Sequence, residues 1–356
     1  LDAGLSVRVI DKGGIAAGAS GGVLGALAPY APDGWNAKKS FQFEALASLE
    51  QACRRLEDAS GMTTGYRQCG RLQPLASLAA RERAERRTGD ARANWQGRFD
   101  WEVLDRPGFA GWPPPHEAPF GVVWDTLTAR VDPRRLTEVL GHIISQRSDI
   151  VLATPVAEID PHTLSVLTLA GTRYTAGYVV IAAGAQTFPL LRPFAPGLRG
   201  HGVAGQAVLM VLSGREDLPV LYDDGIYVVP HEGGRVAVGS TVDRSAEGPV
   251  AYDPNRNDFL GRALALCPAL QGAPILEGWA GLRPNCAKRR PLVGRLPDTP
   301  TIFVATGGYG ISFGIGERVG AAIAEEIAGT DTLEVPESFR PQSHLSSDQR
   351  LPDDVR

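Results

Sequence analysis

The chain has 356 residues, 43% apolar and 21% charged, the composition of a folded globular protein and not of a disordered one. Its 36 basic and 40 acidic side chains leave a net charge of −4, which excludes a broad basic face and makes nucleic acid an unexpected partner. Glycine is in excess, at 42 residues against roughly 7% in ordinary usage, and points to tight turns and close backbone approach to a ligand.

Cys53, Cys69, Cys267 and Cys286 form no CxxC pair and have no His at ligand spacing, so no metal site is expected. Four cysteines in a chain of this length are not a disulfide scaffold, and a reducing, cytoplasmic compartment is expected. No apolar run reaches the roughly 18 residues of a membrane span.

Taken in chain order, Leu1-Asp2-Ala3-Gly4 reads as a helix end with Gly at the cap, and residues 6–10 as a short buried strand closing on Asp11. That order is the second half of a βαβ dinucleotide-binding unit, in which the carboxylate accepts hydrogen bonds from ribose hydroxyls. An ordinary strand with a solvated Asp at its tip reads equally well. No strand with a G-x-G-x-x-G turn stands upstream, so the sequence is expected to begin inside the unit. The small-residue stretch 13–25 suits a loop lying against a flat or phosphorylated ligand.

Apolar spacing at Phe41, Leu46, Leu49, Cys53 and Leu56 predicts a helix over 36–60, and a charged helix follows over 76–88. Residues 89–127, rich in Trp, Pro and Gly, match no element. Asp132-Pro133 opens a helix to about 147. Strands are predicted over 151–159, 165–169 and 178–183, then over 208–212, 226–230 and 235–239, with a helix over 254–266. A buried strand over 301–306 runs into Gly307-Gly308-Tyr309-Gly310 and a helix over 316–328, and the tail 336–356 is expected to be disordered.

The resulting fold class is α/β: a Rossmann-like domain of discontinuous segments, 1–65, 128–200 and 280–330, with an inserted antiparallel β-rich domain from 66–127 and 201–279. Strands 6–10 and 301–306 are expected to share one sheet.

Several motifs stand in a telling order. They are Val9-Ile10-Asp11-Lys12 with Gly18-Ala19-Ser20-Gly21-Gly22; Val131-Asp132-Pro133; Tyr178-Val179-Val180-Ile181-Ala182-Ala183-Gly184-Ala185; and Tyr227-Val228-Val229-Pro230 with Val238-Gly239-Ser240-Thr241. Gly281-Leu282-Arg283-Pro284, Arg290-Pro291-Leu292-Val293-Gly294 and Ala305-Thr306-Gly307-Gly308-Tyr309-Gly310 complete the set. Over about residues 1–330 this order resembles the FAD-dependent oxidoreductases of the D-amino-acid oxidase superfamily, whose members include glycine oxidase and sarcosine oxidase.

The resemblance implies FAD as cofactor, and a small amino acid or secondary amine oxidised at its C–N bond. Oxygen or another acceptor takes the electrons. It implies cofactor contacts at Asp11, Lys12, Ala19, Ser20, Gly21, Gly22, Val156, Gly184, Gly307, Gly308, Tyr309, Gly310, Ile311 and Ser312. The helix after Ser312 would point its N-terminus at the flavin. Arg283 would anchor a substrate carboxylate, its planar fork giving a bidentate grip, with Tyr227 facing the substrate. The plainer alternatives are an Arg paired with a structural carboxylate and a strand Tyr with a buried ring.

Departures from the family pattern are Lys288 where many relatives have Asp, Gly310 in place of a basic residue, and Ser312 in place of Lys. Cys286 lies near, but at an imperfect offset from, the site of a covalent flavin link in some relatives. Gly314, Gly316 and Gly320 read as helix packing. Two rival readings are a tRNA-modifying FAD oxidoreductase domain acting on carboxymethylaminomethyl-uridine and a flavin-free, inactive fragment.

Overall fold

A computed structural model describes residues 1–243, 250–254, 258–330 and 332–345. Eight strands far apart in sequence, several of them rich in β-branched and aromatic residues, pair into one sheet. Its order is Ile275–Cys286, Gly200–Val211, Arg235–Gly239, Ile226–His231, Val220–Asp223, Arg71–Pro74, Val122–Asp125 and Trp101–Leu104. Neighbours run antiparallel, except that Arg71–Pro74 is parallel to Val220–Asp223.

Side chains alternate between the faces of a strand. One face buries Val208, Met210, Val228, Val236 and Val238 under the Phe259–Leu266 helix. The other carries Ala207, Val229 and Ala237, with Tyr227 and Trp279 packed beside them.

Smaller ladders surround this sheet. Val179–Ile181 lies parallel to Thr299–Thr306, which pairs antiparallel with Leu292–Leu296. Arg8–Ile10 lies parallel to Asp149–Val151, while Val156–Asp160, Ser165–Thr168 and Arg173–Thr175 form an antiparallel meander. The molecule is thus mixed α/β, as the sequence predicts, with one large sheet. The Ala37–Ser60 helix is capped by the Asn36 side chain and stopped by Gly61 at φ 69°. It packs on the Ser312–Ala328 helix where Gly314 leaves room for Leu46, so Gly314 has the expected packing role while Gly316 and Gly320 face open space.

Several expectations need correcting. Strands 8–10 and 299–306 stand in separate ladders, and no described strand pairs with the second edge of Arg8–Ile10 or of Val179–Ile181. The predicted strand 151–159 is two strands in different sheets, because Ala153 turns at φ 50° and Pro155 lacks a ladder donor. Residues 89–127 supply two sheet strands, Trp101–Leu104 and Val122–Asp125.

The second helix runs on to Leu78–Asn94, and the last long helix begins earlier, at Ser312. The helix predicted over 254–266 is Phe259–Leu266, capped by Asp258; 255–257 lie outside the described residues. The boundary expected at 280 falls inside Ile275–Cys286. The start of the tail is folded. Phe339 is fully buried, its ring edge-on to Phe41 at 5.6 Å, and Arg340 bonds Glu326 at 2.6 Å; residues 346–356 lie outside the described residues. Among the described residues no helix is long and apolar enough to cross a membrane.

Candidate active site

One strand gathers the site. Ile275–Cys286, at the sheet edge, runs past three turns: Ala19–Gly21, Gly184–Gln186 and Tyr309–Ile311. Arg283 lies on it opposite Val203, and its side chain crosses Gly205, where an added Cβ would come within 2.6 Å of the guanidinium. Nη1 donates to Ser240 Oγ at 3.0 Å and Nη2 to the Thr241 carbonyl at 2.7 Å.

The guanidinium lies 4.7 Å over the Tyr309 ring, and its buried Nε has no partner among the described residues. Burial pushes the Arg283 pKa down, although an arginine remains cationic at neutral pH. Its partners are a hydroxyl and main-chain carbonyls, so among the described residues no carboxylate matches the charge.

The Gly307–Ser312 segment turns the chain from Thr299–Thr306 into the Ser312–Ala328 helix. Gly307 sits at φ 76°, and a Cβ there would lie 2.3 Å from Cys286 Sγ, so both conformation and space require glycine. Tyr309 also has a positive φ, 46°. No side chain caps the helix at Ile311, which leaves its first N–H groups facing this turn. Ser312 Oγ donates back to the Tyr309 carbonyl at 3.3 Å, and Thr306 Oγ1 ties in the Gly184 carbonyl at 2.9 Å.

Gly21 and Gly22 are buried, and the Trp279 ring lies 3.4 Å from where a Gly22 Cβ would stand. Arg134 fastens this loop: Nε donates to the Gly21 carbonyl at 2.8 Å while Nη1 and Nη2 grip Glu277 at 2.8 and 2.6 Å. Tyr227 shares the sheet face of Trp279 and Arg283, and burial pushes its hydroxyl up to about 12. Its ring stands 4.5 Å from that of Tyr222.

The candidates therefore divide. Arg283, Tyr227, Gly21, Gly22, Gly184 and 307–312 surround the sheet edge and its inner face. Ala19 is half-buried and Ser20 exposed on the same turn. Asp11 and Lys12 are exposed beyond the Arg8–Ile10 ladder, where Asp11 Oδ1 accepts the Gly13 N–H at 2.7 Å. Val156 packs into the core of Ile159, Ile181 and Leu191. Cys286 is buried and its thiol is pushed up to about 12, so it is not the thiolate that a covalent attachment needs.

Sequence reasoning missed Trp279, the Arg134–Glu277 clamp and a buried pair on the same sheet face, Arg71 Nε to Asp125 Oδ2 at 2.7 Å. The only sequence signal for the pair is weak: Asp125 directly follows the apolar run Val122-Val123-Trp124, whereas Arg71 stands among Gly70, Leu72 and Gln73 with no apolar run around it.

The donor set fits the ring of a flavin: an uncapped helix N-terminus, glycines that admit close backbone approach, and a buried guanidinium nitrogen without a partner. Comparison with known proteins agrees. Residues 1–326 match the DAO family, described as FAD dependent oxidoreductase. The chain belongs to this family. It is 27% identical over 183 residues to glycine oxidase of Bacillus licheniformis, covering 51% of this chain and 50% of the relative. It is also 27% identical over 305 residues to the bifunctional protein ThiO/ThiG of a Synechocystis species, covering 82% and 43%. The chain thus spans about half the length of the curated relatives it matches. Glycine oxidase from Bacillus cereus shares the fold at a TM-score of 0.82, with 23% identity over 98% of this chain and 94% of that one. Iminodiacetate oxidase from a Chelativorans species does so at 0.77, with 22% identity over 95% and 93%.

Proposed function

We propose that this chain oxidises the C–N bond of a small amino acid or secondary amine bearing a carboxylate. The observation that carries the reading is Arg283: a half-buried cation without a carboxylate partner among the described residues, its buried Nε unpaired and its guanidinium stacked on Tyr309 in the 307–312 turn. Named relatives and fold neighbours, glycine oxidase and iminodiacetate oxidase, point to the same substrate class.

FAD, when bound, supplies the two-electron acceptor for the substrate hydride. The chain's own residues bind and orient. Arg283 holds the carboxylate through its fork, Tyr227 bonds it from the same face of the large sheet, and Gly307 and Gly308 let the backbone approach the ring. The uncapped end of the Ser312–Ala328 helix offers positive potential where negative charge gathers. Trp279 and the apolar sheet face exclude water. Asp11 and Lys12 would serve the ribose end, and Ala19, Ser20, Gly21 and Gly22 the length between.

The test begins with the visible spectrum of purified protein, where flavin bands are expected; a colourless protein opposes the reading. Arg283→Ala should then lower kcat/KM for glycine tenfold or more, because a hydrogen bond to a charged group is worth roughly 1.5–3 kcal/mol at about 1.4 per decade. Methylamine, which lacks the carboxylate, should be unaffected, and Arg283→Lys should recover only part of the loss. Equal slowing of both substrates would make Arg283 structural and remove amino acids as the substrate class.

A further inference from the structure

The inner face of the large sheet holds a buried cation, Arg71, that the binding scheme above does not use. Arg71 and Asp125 are cross-strand partners in the ladder between Arg71–Pro74 and Val122–Asp125, and their side chains are 6% and 0% exposed. Asp125 is fixed at both oxygens. Oδ2 accepts from Arg71 Nε at 2.7 Å, and Oδ1 from the Thr128 N–H at 2.8 Å. The anchored guanidinium extends to 5.4 Å from the Tyr222 ring centre. Tyr222 is the registered partner of Tyr227, their rings 4.5 Å apart and tilted by 45°. A line of contacts, Asp125–Arg71–Tyr222–Tyr227, thus crosses four neighbouring strands on one face.

Stability is a weak reason for such a pair. Desolvating two ions offsets most of their attraction, and apolar residues of similar volume often serve as well. The chemistry of the cation is more informative. A guanidinium only donates, so a phenol oxygen beside it turns its lone pairs toward the cation and its proton away. The positive charge of Arg71 acts on the Tyr227 hydroxyl and opposes the effect of burial there. Asp125, Tyr222 and Arg71 are the charged and titratable groups that act on this hydroxyl.

We propose that Arg71, fixed by Asp125, is a positioning residue that turns the Tyr227 hydroxyl into a hydrogen-bond donor aimed at the substrate carboxylate. The inference rests on the amino-acid reading above, in which Tyr227 already meets the carboxylate, and adds the group that fixes the direction of its hydroxyl.

The experiment measures acetate binding to the flavin-loaded protein by calorimetry, which needs no turnover. Arg71→Met combined with Asp125→Leu removes the pair without stranding a charge. Acetate should bind about three- to tenfold more weakly, the range of one net hydrogen bond. Tyr227→Phe should weaken it equally, and adding the double replacement to Tyr227→Phe should cost nothing further. In turnover, KM for glycine should rise while kcat changes little. If the double variant does not fold, Arg71→Lys, which keeps the charge but loses the fork, should give an intermediate loss that also vanishes in Tyr227→Phe. Unchanged acetate affinity, or losses that add independently of Tyr227, would overturn the inference while leaving the Arg283 reading intact. Unchanged acetate affinity in Arg283→Ala would instead overturn the amino-acid reading, and this inference with it.

Discussion

Two ion pairs in this molecule have the same length and opposite surroundings. Arg71 and Asp125 meet at 2.7 Å across an antiparallel ladder of the eight-stranded sheet, with side chains 6% and 0% exposed. Arg8 and Asp149 also meet at 2.7 Å, across the parallel two-stranded ladder, but are 46% and 67% exposed. Since the distances match, the energetic difference lies in the medium, where the effective dielectric sets both the attraction and the desolvation cost. The sheet face spends burial on holding charge in a fixed direction beside Tyr222 and Tyr227. The outer ladder, which leads to Asp11, leaves its charges in water and relies on backbone pairing.

The sharpest way to break this comparison is to remove one partner from the buried pair. Asp125→Ala strands a buried guanidinium and deprives the Thr128 N–H of its acceptor, so urea unfolding should lose on the order of 3–5 kcal/mol. A loss under about 1 kcal/mol would mean that water reaches Arg71 in solution, and the face would not be the dry surface described.

The same sheet offers a pH test of comparable size. His231 is 2% exposed, with Nε2 3.1 Å from the Leu24 carbonyl, and burial pushes its pKa down to about 4. The unfolded residue takes up a proton near 6.5, whereas the folded one does not until about 4. Its contribution is therefore complete above about 6.5 and lost as the pH falls toward 4, by up to about 3 kcal/mol at 1.36 per pKa unit. His344, also near 4, titrates in the same window, so His231→Gln should flatten only part of the fall. Stability of His231→Gln that tracks the parent between pH 7 and 4 would show that His231 is solvated.

The two regions also differed in how legibly they were written. Strand 8–10 and the 36–60 helix could be read because their signals are local: Val9-Ile10-Asp11, and Asn36 and Gly61 at the two helix ends. The ordered motifs singled out Arg283 and the 307–312 turn, which the structure brings together at one sheet edge. What stayed hidden was non-local. Arg71–Pro74, Trp101–Leu104 and Val122–Asp125 are four residues each, too short for a periodicity to stand out, and they exist as strands because partners far away in sequence complete them. The Pro-rich 89–127 segment masked two of these strands, and with them Asp125. The tail beyond Pro336 looked polar by composition, yet one residue, Phe339, buries its ring against Phe41 and holds the segment in place.

The smallest expected effect completes the comparison from its other side. Arg8 donates to Asp149 through Nε at 3.2 Å and Nη2 at 2.7 Å, a fork that would be strong in a dry site. It also lies 5.2 Å from the Tyr174 ring centre. In water both contacts weaken, because each charge keeps most of its hydration and salt screens the pair with a Debye length of about 8 Å at physiological strength. A double-mutant cycle with Arg8→Ala and Asp149→Ala should therefore return a coupling of about 0.5 kcal/mol, shrinking further in 1 M salt. The single Arg8→Ala change should lose slightly more than that, since it also removes the contact with Tyr174. A salt-insensitive coupling of several kcal/mol would place Arg8 and Asp149 in a desolvated setting, because only removal of water makes an ion pair of this length strong. The ladder leading to Asp11 would then be covered in solution, and the contrast with the buried sheet face would fail.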